Sequence, residues 1–499
     1  MSNSEPDRLP YAFAKEKGLV LFRHGDELVL GVRENAEPWA IMEARRVAGR
    51  SVRVSPLNRM DFDRRLSEIY TTEGIDASEL DNALEERGDL DSLAAGLTEN
   101  DDLLDTSDDA PIIRLINGLI AEAVRTKASD IHIEPFEDKL SVRLRIDGVM
   151  REVLTPSRRV TPLLVSRIKV MARLDIAEKR VPQDGRVSLS LGGRPIDVRI
   201  STLPSRYGER VVLRLLDKES AKLDLDELGM PSGVLDGLKR VLSQPNGIIL
   251  VTGPTGSGKT TTLYAALTLL NDQSRNILTV EDPIEYGLNG VGQTQVNSKV
   301  GMTFAAGLRA ILRQDPDIVM VGEIRDSETA QIAVQASLTG HLVLSTVHTN
   351  SAAAAVTRLR DMGIEPFLLS STLAAVIAQR LVRRLCGHCK KPHDPTPAEL
   401  TALGLSAGDV STIYGPVGCE KCNHQGYEGR LGIYELIEVD ENLKMMIHDN
   451  AREIDIEKYA FRNGETIQSS GVQHVLNGLT SVEEVLRVVR QSRDANGGL

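Results

Sequence analysis

Apolar positions change their period several times along the chain, and each change marks a different element. Residues 18–32, GLVLFRHGDELVLGV, alternate on either side of His24-Gly25-Asp26 and predict a hairpin. Met60, Phe62, Leu66 and Ile69 then recur at helical spacing. From Pro111 onward, Ile112, Ile113, Ile116, Leu119, Ile120, Ala123 and Val124 form one apolar helical stripe. SDIHIEP (129–135) and KLSVRLRI (139–146) return to period two, with Asp147-Gly148 as a tight turn into VMREVL. RVSLSL (186–191), Gly192-Gly193 and RPIDVRI (194–200) repeat the hairpin pattern. From about Leu223 the runs become short and wholly apolar: GIILVTG (247–253), ILTVED (277–282), DIVMVGE (317–323) and HLVLST (341–346), with helical patterns between them. Strands buried on both faces read this way, so the expected fold class is α/β, a mostly parallel sheet covered by helices.

These changes divide the 499 residues into four stretches. They are a small N-terminal α+β domain (1–80), an acidic linker (81–109), an arginine-rich α+β domain (110–220) and an α/β domain (221–499). Residues 81–109 hold eleven acids against Arg87 alone, which is -10 of the formal net charge of -12. The rest of the chain is nearly neutral, unlike a dedicated duplex-DNA binder, whose surface is basic. Aromatics at 3% leave little material for base-stacking platforms. The polar start MSNSEPDRLP carries no signal-peptide pattern, and no run approaches 18 apolar residues. A cytosolic chain is the expectation.

Gly253-Pro254-Thr255-Gly256-Ser257-Gly258-Lys259-Thr260 fits G-x-x-x-x-G-K-[ST], between a buried strand and the helical TTLYAALTLL. The glycines let backbone N–H groups turn toward phosphate oxygens, and the helix N-terminus adds positive potential. Lys259 is placed to reach the β- and γ-phosphates and Thr260 to ligate Mg²⁺, with Thr261 beside it a further nucleotide-binding candidate. Glu323 ends another sheet strand, where a carboxylate orients or deprotonates a water, or holds a metal-bound one. The step after that apolar run usually carries Asp, and here it is Gly322. Glu281, Asp282 and Glu285 form a second acidic group at a strand's carboxyl end, where open α/β sheets bind ligands. His341 and His348 bracket a fourth strand and are candidates for sensing the γ-phosphate.

Cys386-Gly-His-Cys389 and Cys419-Glu-Lys-Cys422 are the only cysteines. Four thiolates in two knuckles suit a closed tetrahedral zinc site, in a helix-containing subdomain at about 384–430. The rival is a thioredoxin-like redox pair, although no matching βαβ pattern surrounds either motif. His388, His393 and His424 are weaker ligand candidates.

Together the motifs resemble one family. ASDIHIEP (128–135), RLRIDG (143–148), VPQDGR (181–186), RISTLPSRYGERVVLRLL (199–216), GPTGSGKTTTLY (253–264), TVEDPIEY (279–286), LRAILRQDPDIVMVGEIRD (308–326), TGHLVLSTVHTN (339–350), the paired C-x-x-C motifs and GYEGRLGIYE (426–435) resemble the bacterial secretion ATPases of the type II and type IV pilus superfamily, the type II members most closely. The resemblance implies a RecA-like core preceded by a PAS-like α+β domain. TVEDPIEY then corresponds to an Asp box, Glu323 to the catalytic glutamate of a Walker B segment that tolerates Gly322, and GHLVLSTVH to a His box. It further implies ATP, Mg²⁺ and zinc, and arginines from the 199–216 segment closing over the nucleotide; Arg210 and Arg214 share a face of their strand, with Arg199 and Arg206 nearby. A homohexamer is implied, docked through the first domain on an inner-membrane GspL-type partner, with an inner-membrane platform protein as a further partner and no nucleic acid. Pseudopilus assembly is the expected work. A type IV pilus assembly ATPase is the alternative within the family, and a nucleic-acid motor the alternative outside it.

Overall fold

The computed structural model describes residues 110–217 except 192–193, and 224–494 except 407 and 463. Ahead of these it describes 9, 13–14, 17–24, 27–33, 36–48, 51–58, 61–62, 65, 90, 92 and 94. The chain divides into two units, residues 1–219 and 220–499.

In the first unit, β1 (Leu19–His24) and β2 (Glu27–Arg33) form the expected antiparallel hairpin, with Leu19 opposite Val32. Its turn residues Gly25 and Asp26 lie outside the described residues, as does most of the helix expected around Met60 and Leu66. Helix α1 (Pro38–Ala48) follows, and β3 (Arg53–Leu57) pairs with β2 in parallel. Helix α2 (Ala110–Arg125) realises the stripe that begins near Pro111. Strands β4 (Ala128–Pro135), β5 (Leu140–Ile146) and β6 (Val149–Leu154) lead to helix α3 (Thr161–Met171). Then come β7 (Gln183–Leu191), β8 (Arg194–Ser205) and β9 (Gly208–Asp217). The six strands form one antiparallel sheet in the order β6-β5-β4-β9-β8-β7. The Asp147-Gly148 turn has φ of 48° and 84°, the two positive values a type I′ hairpin needs. Most of the acidic stretch 81–109 lies outside the described residues. Within it, Leu90 and Ala94, one helical turn apart, pack on the core of the second domain.

The elements of the second unit include the four strands that the apolar runs predict and three more strands of the same sheet that those runs do not predict. In order they are α4 (Ser232–Leu242), β10 (Gly247–Thr252), α5 (Lys259–Leu270), β11 (Ile277–Glu281), β12 (Gly292–Gln295), α6 (Phe304–Ile311), β13 (Ile318–Val321), α7 (Ser327–Leu338), β14 (Leu342–Val347), α8 (Ala352–Asp361), α9 (Pro366–Thr372) and β15 (Leu373–Leu385). The sheet runs β12-β11-β13-β14-β10-β15 in parallel, and β18 (Tyr427–Glu438) closes it antiparallel to β15. Alternate residues of one strand feed opposite cores. Ile248 and Leu250 join α6, α7 and α8 on one face, while Ile249 and Val251 join α4 and α5 on the other. Each such side chain contributes about 1.5–3 kcal/mol on burial. Side-chain caps start the flanking helices: Thr303 accepts from the Ala306 N–H, Asp326 from Thr329 and Ser351 from Ala354.

Between β15 and β18 lie β16 (Lys391–His393), α10 (Pro397–Leu403) and β17 (Ile413–Gly415), the helix-containing insert expected there. After β18 come α11 (Glu441–His448), α12 (Glu453–Ala460), α13 (Ile467–Leu476) and α14 (Val482–Asp494). The end of β15 is anchored to the turn between α13 and α14. Leu385 N–H donates to Leu479 C=O at 2.8 Å, and Thr480 hydroxyl donates to Arg383 C=O at 2.8 Å. Buried Glu484 accepts from the Arg383 backbone at 3.1 Å and its guanidinium at 2.8 Å, and from Arg487 Nε at 3.0 Å. Burial alone would raise the Glu484 carboxyl, but the Arg487 and Arg383 hydrogen bonds outweigh it and hold it at about 2, against an ordinary 4.5. Its stabilisation is therefore complete above pH 4.5 and is lost as pH falls toward 2. Glu484→Gln is expected to cost about 2 kcal/mol near neutrality, by denaturant unfolding, and progressively less below pH 4. A pH-independent difference would exclude this ion pair as the cause.

Candidate nucleotide and metal sites

Because β10 ends at Thr252, the chain must leave the sheet through a turn before α5 can begin. Gly253, Gly256 and Gly258 take φ of 149°, 78° and 88°, values that side-chain-bearing residues rarely adopt. Pro254, Thr255 and Gly256 are exposed, Ser257 is buried, and Thr260 lies exposed on the first turn of α5 beside half-buried Thr261. Lys259 folds back over the loop, its Nζ donating to Gly253 C=O at 2.8 Å and Pro254 C=O at 3.1 Å. Burial pushes its ammonium down to about 8; Arg380 pushes the same way and Glu323 opposes. An amine that is desolvated, yet held by two weak carbonyl partners, is ready to exchange them for phosphate oxygens.

Glu323 stands two residues beyond β13, one strand removed from β10. Its carboxylate accepts from Arg325 Nε at 2.6 Å and lies 3.0 Å from His348 Nε2. Burial, then Lys259 and Arg325, hold His348 below the usual imidazole range against the pull of Glu323. Lys259, Glu323 and His348 thus influence one another directly at the carboxyl end of the sheet.

The structure does not bring His341 to this group. His341 precedes β14, and its carbonyl accepts from Gly247 N–H at 3.3 Å, at the start of β10. Six residues of strand separate it from His348, about 20 Å at 3.3 Å per residue. Its Nδ1 lies 2.9 Å from the Ala336 carbonyl, at the end of α7. The three acids of TVEDPIEY are also unequal. Glu281 is 2% exposed and enclosed by polar partners. Tyr264 hydroxyl donates to it in a short contact, Thr279 hydroxyl at 2.6 Å and Gln293 amide at 3.1 Å. Burial and then the Glu281 hydrogen bond push the Tyr264 phenol well above its ordinary range. Glu281 is thereby committed to the sheet's own network, while Asp282 is exposed and Glu285 half-buried.

In the first unit, Arg214 Nε lies 3.0 Å from Asp130 and Arg210 makes a short contact with Glu134. The same acids also take Arg145 at 3.5 Å and, in a short contact, Arg143. Arg210 and Arg214 therefore share one face, as strand alternation requires. Both arginine side chains are about half exposed while the two acids are buried, so each pair has its arginine at the surface and its carboxylate inside.

Two buried polar residues beside the glycine loop belong to no motif. Gln379 and Arg380 interrupt the apolar run of β15 and are 1% and 3% exposed. Arg380 Nη2 donates to Asn350 C=O at 2.6 Å, and a Cβ added to Gly253 would lie 3.1 Å from Arg380 Nη1. Burial holds its guanidinium below the usual range, against the pull of Glu435. The signal was present in the sequence, since a polar pair inside a fully buried strand needs partners.

Cys386, Cys389, Cys419 and Cys422 converge, with all four sulfurs within 4.8 Å of one another. Three of the separations are 4.0, 3.8 and 3.8 Å. Sulfurs at about 2.3 Å from a common tetrahedral centre stand about 3.8 Å apart, so the cluster fits a tetrahedral ion. Gly418 N–H donates to Cys389 Sγ at 3.3 Å, and the N–H groups of Cys419 and Gly426 to Cys422 Sγ at 3.2 Å each. Such donors favour thiolates. The cluster contains no histidine: His393 pairs with Glu399 at 3.2 Å, and His388 lies 3.4 Å from Lys421.

A family model described as "Type II/IV secretion system protein" matches residues 105–487, and a second, for an N-terminal domain of "GSPII protein E", matches 8–70. The chain is 58% identical to "Type II secretion system protein E" of Aeromonas hydrophila, over 97% of this chain and 96% of that protein. It is 55% identical to "Type II secretion system ATPase E" of Vibrio cholerae, over 97% of each. The chain belongs to the type II secretion ATPase family. Solved structures agree on the RecA-like fold. The ATPase DotB of Legionella pneumophila has a TM-score of 0.56 at 20% identity, covering 75% of this chain and 95% of its own. The pilus retraction motor PilT, solved with bound ADP, has a TM-score of 0.51 at 28% identity, covering 74% and 95%.

For this secretion ATPase, the depressed Lys259 ammonium has a measurable consequence. If Lys259 is the phosphate ligand, affinity for Mg·ADP is expected to fall roughly tenfold between pH 7 and 9 as its ammonium deprotonates, with proton uptake on binding. Calorimetric titration in buffers of different ionisation enthalpy checks this, and a flat profile would contradict it.

Proposed function

We propose that this protein is the ATP-hydrolysing motor of a type II secretion system, driving pseudopilus assembly at the inner membrane. The observation that carries the reading is the pairing of Glu323 with His348 at 3.0 Å, within the electrostatic influence of Lys259 on the glycine loop. In this reading the loop 253–261 holds the ATP phosphates and Lys259 bridges the β- and γ-positions. The Thr260 hydroxyl takes Mg²⁺, which supplies charge neutralisation at the transferring phosphoryl group. Glu323 accepts the proton of the attacking water, and His348, held neutral beside it, orients that carboxylate toward the γ-phosphate. Asp282, exposed at the end of β11, and half-buried Glu285 remain candidates for holding metal-bound water. Glu281 acts on them only through the shape of its strand, and His341 has no part in the site of its own chain. Arg210 and Arg214 exchange Glu134 and Asp130 for the γ-phosphate, in the same or a neighbouring subunit of a homohexamer. That supplies the transition-state clamp.

The four cysteines hold structural zinc. A closed tetrahedral site has no vacant position for chemistry, so the ion shapes the subdomain between β15 and β18. No helix among the described residues is long and apolar enough to cross a membrane. The N-terminal domain, residues 1–80, supplies attachment to an inner-membrane partner of the GspL type. The match of residues 8–70 to an N-terminal domain of GSPII protein E supports the type II reading over a pilus assembly ATPase.

Glu323→Gln is expected to slow hydrolysis by at least about 100-fold while leaving ATP binding within a few-fold. Comparable losses in turnover and binding would remove Glu323 from the chemistry. Elemental analysis of the full chain is expected to give about one zinc per chain, with Cys386→Ser or Cys422→Ser losing it. Folded, active protein without zinc would overturn the assignment.

A further inference from the structure

Strand β15 places a buried amide directly beneath the glycine loop. Gln379 Nε2 donates to the Ser257 carbonyl at 2.7 Å, and its Oε1 accepts from the Thr262 hydroxyl of α5 at 2.7 Å. The orientation of the amide is determined by its partners. A carbonyl can only accept, so the nitrogen must face Ser257 and the oxygen is left for Thr262. Gly258 completes the fit: a Cβ there would lie 3.1 Å from Gln379 Nε2, and its φ is 88°.

In a trans peptide the C=O and the following N–H point in opposite directions. Drawing the Ser257 carbonyl onto Gln379 therefore turns the Gly258 N–H away from β15, toward the side of the loop where successive N–H groups form an anion-binding nest. We propose that Gln379 is a positioning residue for the bound nucleotide: it sets the 257–258 peptide plane so that the Gly258 N–H faces the β-phosphate, and it ties that plane to α5 through Thr262. The inference rests on the reading of 253–260 as the nucleotide site. Gln379 itself touches no substrate. Its apolar replacement leaves the Ser257 carbonyl and Thr262 hydroxyl without their partner, and the peptide plane is then free to rotate and withdraw its donor.

The β-phosphate is present in ADP and ATP alike, so the effect belongs to binding and not to the chemical step. For Gln379→Leu and the closely sized Gln379→Met, in the full zinc-loaded chain, the Kd for Mg·ADP and the KM for Mg·ATP are expected to rise together about tenfold, the equivalent of about 1.4 kcal/mol. The kcat at saturation should stay within about threefold, since uniform binding is what is lost. A merely structural role would lower the melting temperature without moving Kd. A folded variant that binds Mg·ADP within about twofold of the unaltered chain overturns the inference, and if Gln379→Leu does not fold, Gln379→Met decides. Lys259→Ala separates the two levels. If it loses nucleotide while the Gln379 variants keep it, the loop reading stands and the role of Gln379 falls. If the unaltered chain binds neither nucleotide, both fall.

Discussion

Strand β10 is hydrogen-bonded along both edges, to β14 on one side and β15 on the other, so the turn that follows Thr252 cannot slide. Everything at the nucleotide site depends on that double pairing. Thr252 hydroxyl locks the strand end further, within 2.7 Å of the Thr349 hydroxyl beyond β14. A glycine loop is floppy by composition and becomes a rigid cradle only when both its ends are fixed. Here α5 fixes one end and the sheet fixes the other. Neighbouring strands bring in the side chains: β14 leads to His348, β13 to Glu323, and β15 supplies Gln379 and Arg380.

This packing also explains the electrostatics. Lys259 and Arg380 are two cations buried beside one glycine, and burial holds both below their ordinary ranges. Two desolvated cations beside one glycine make this turn a place where an anion would be favoured. The same β15 continues to Cys386, and β18 begins five residues after Cys422. The tetracysteine cluster therefore lies just past the carboxyl end of β15, beyond Gln379 and Arg380.

Much of this was legible in the sequence because it is local. The apolar runs of β10, β13 and β14 demanded a doubly covered parallel sheet, and the glycine loop followed from its spacing. Two C-x-x-C pairs could converge on one ion whatever the fold of the insert. What was not legible depends on direction and depth. His341 and His348 look equivalent in the sequence, yet a strand places them at its amino and carboxyl ends, on opposite ends of the sheet. Glu281 shares a motif with Asp282, but only the packing of Tyr264, Thr279 and Gln293 reveals that its carboxylate is already in use. Gln379 and Arg380 belong to no motif, and their partners Ser257 and Asn350 lie far from them in sequence. Arg210 and Arg214 were placed on one face by alternation, but alternation could not reveal that Glu134 and Asp130 already hold them.

Hydrogen exchange of the full chain, with and without saturating Mg·ADP, reads out whether the glycine loop is held from both ends as a cradle for phosphate. If the loop is a prefixed anion cradle, exchange in 253–262 slows markedly on binding, while β10 and β15, already paired on both edges, change little. Unchanged exchange in 253–262 with the nucleotide bound, and protection appearing elsewhere, would contradict the account.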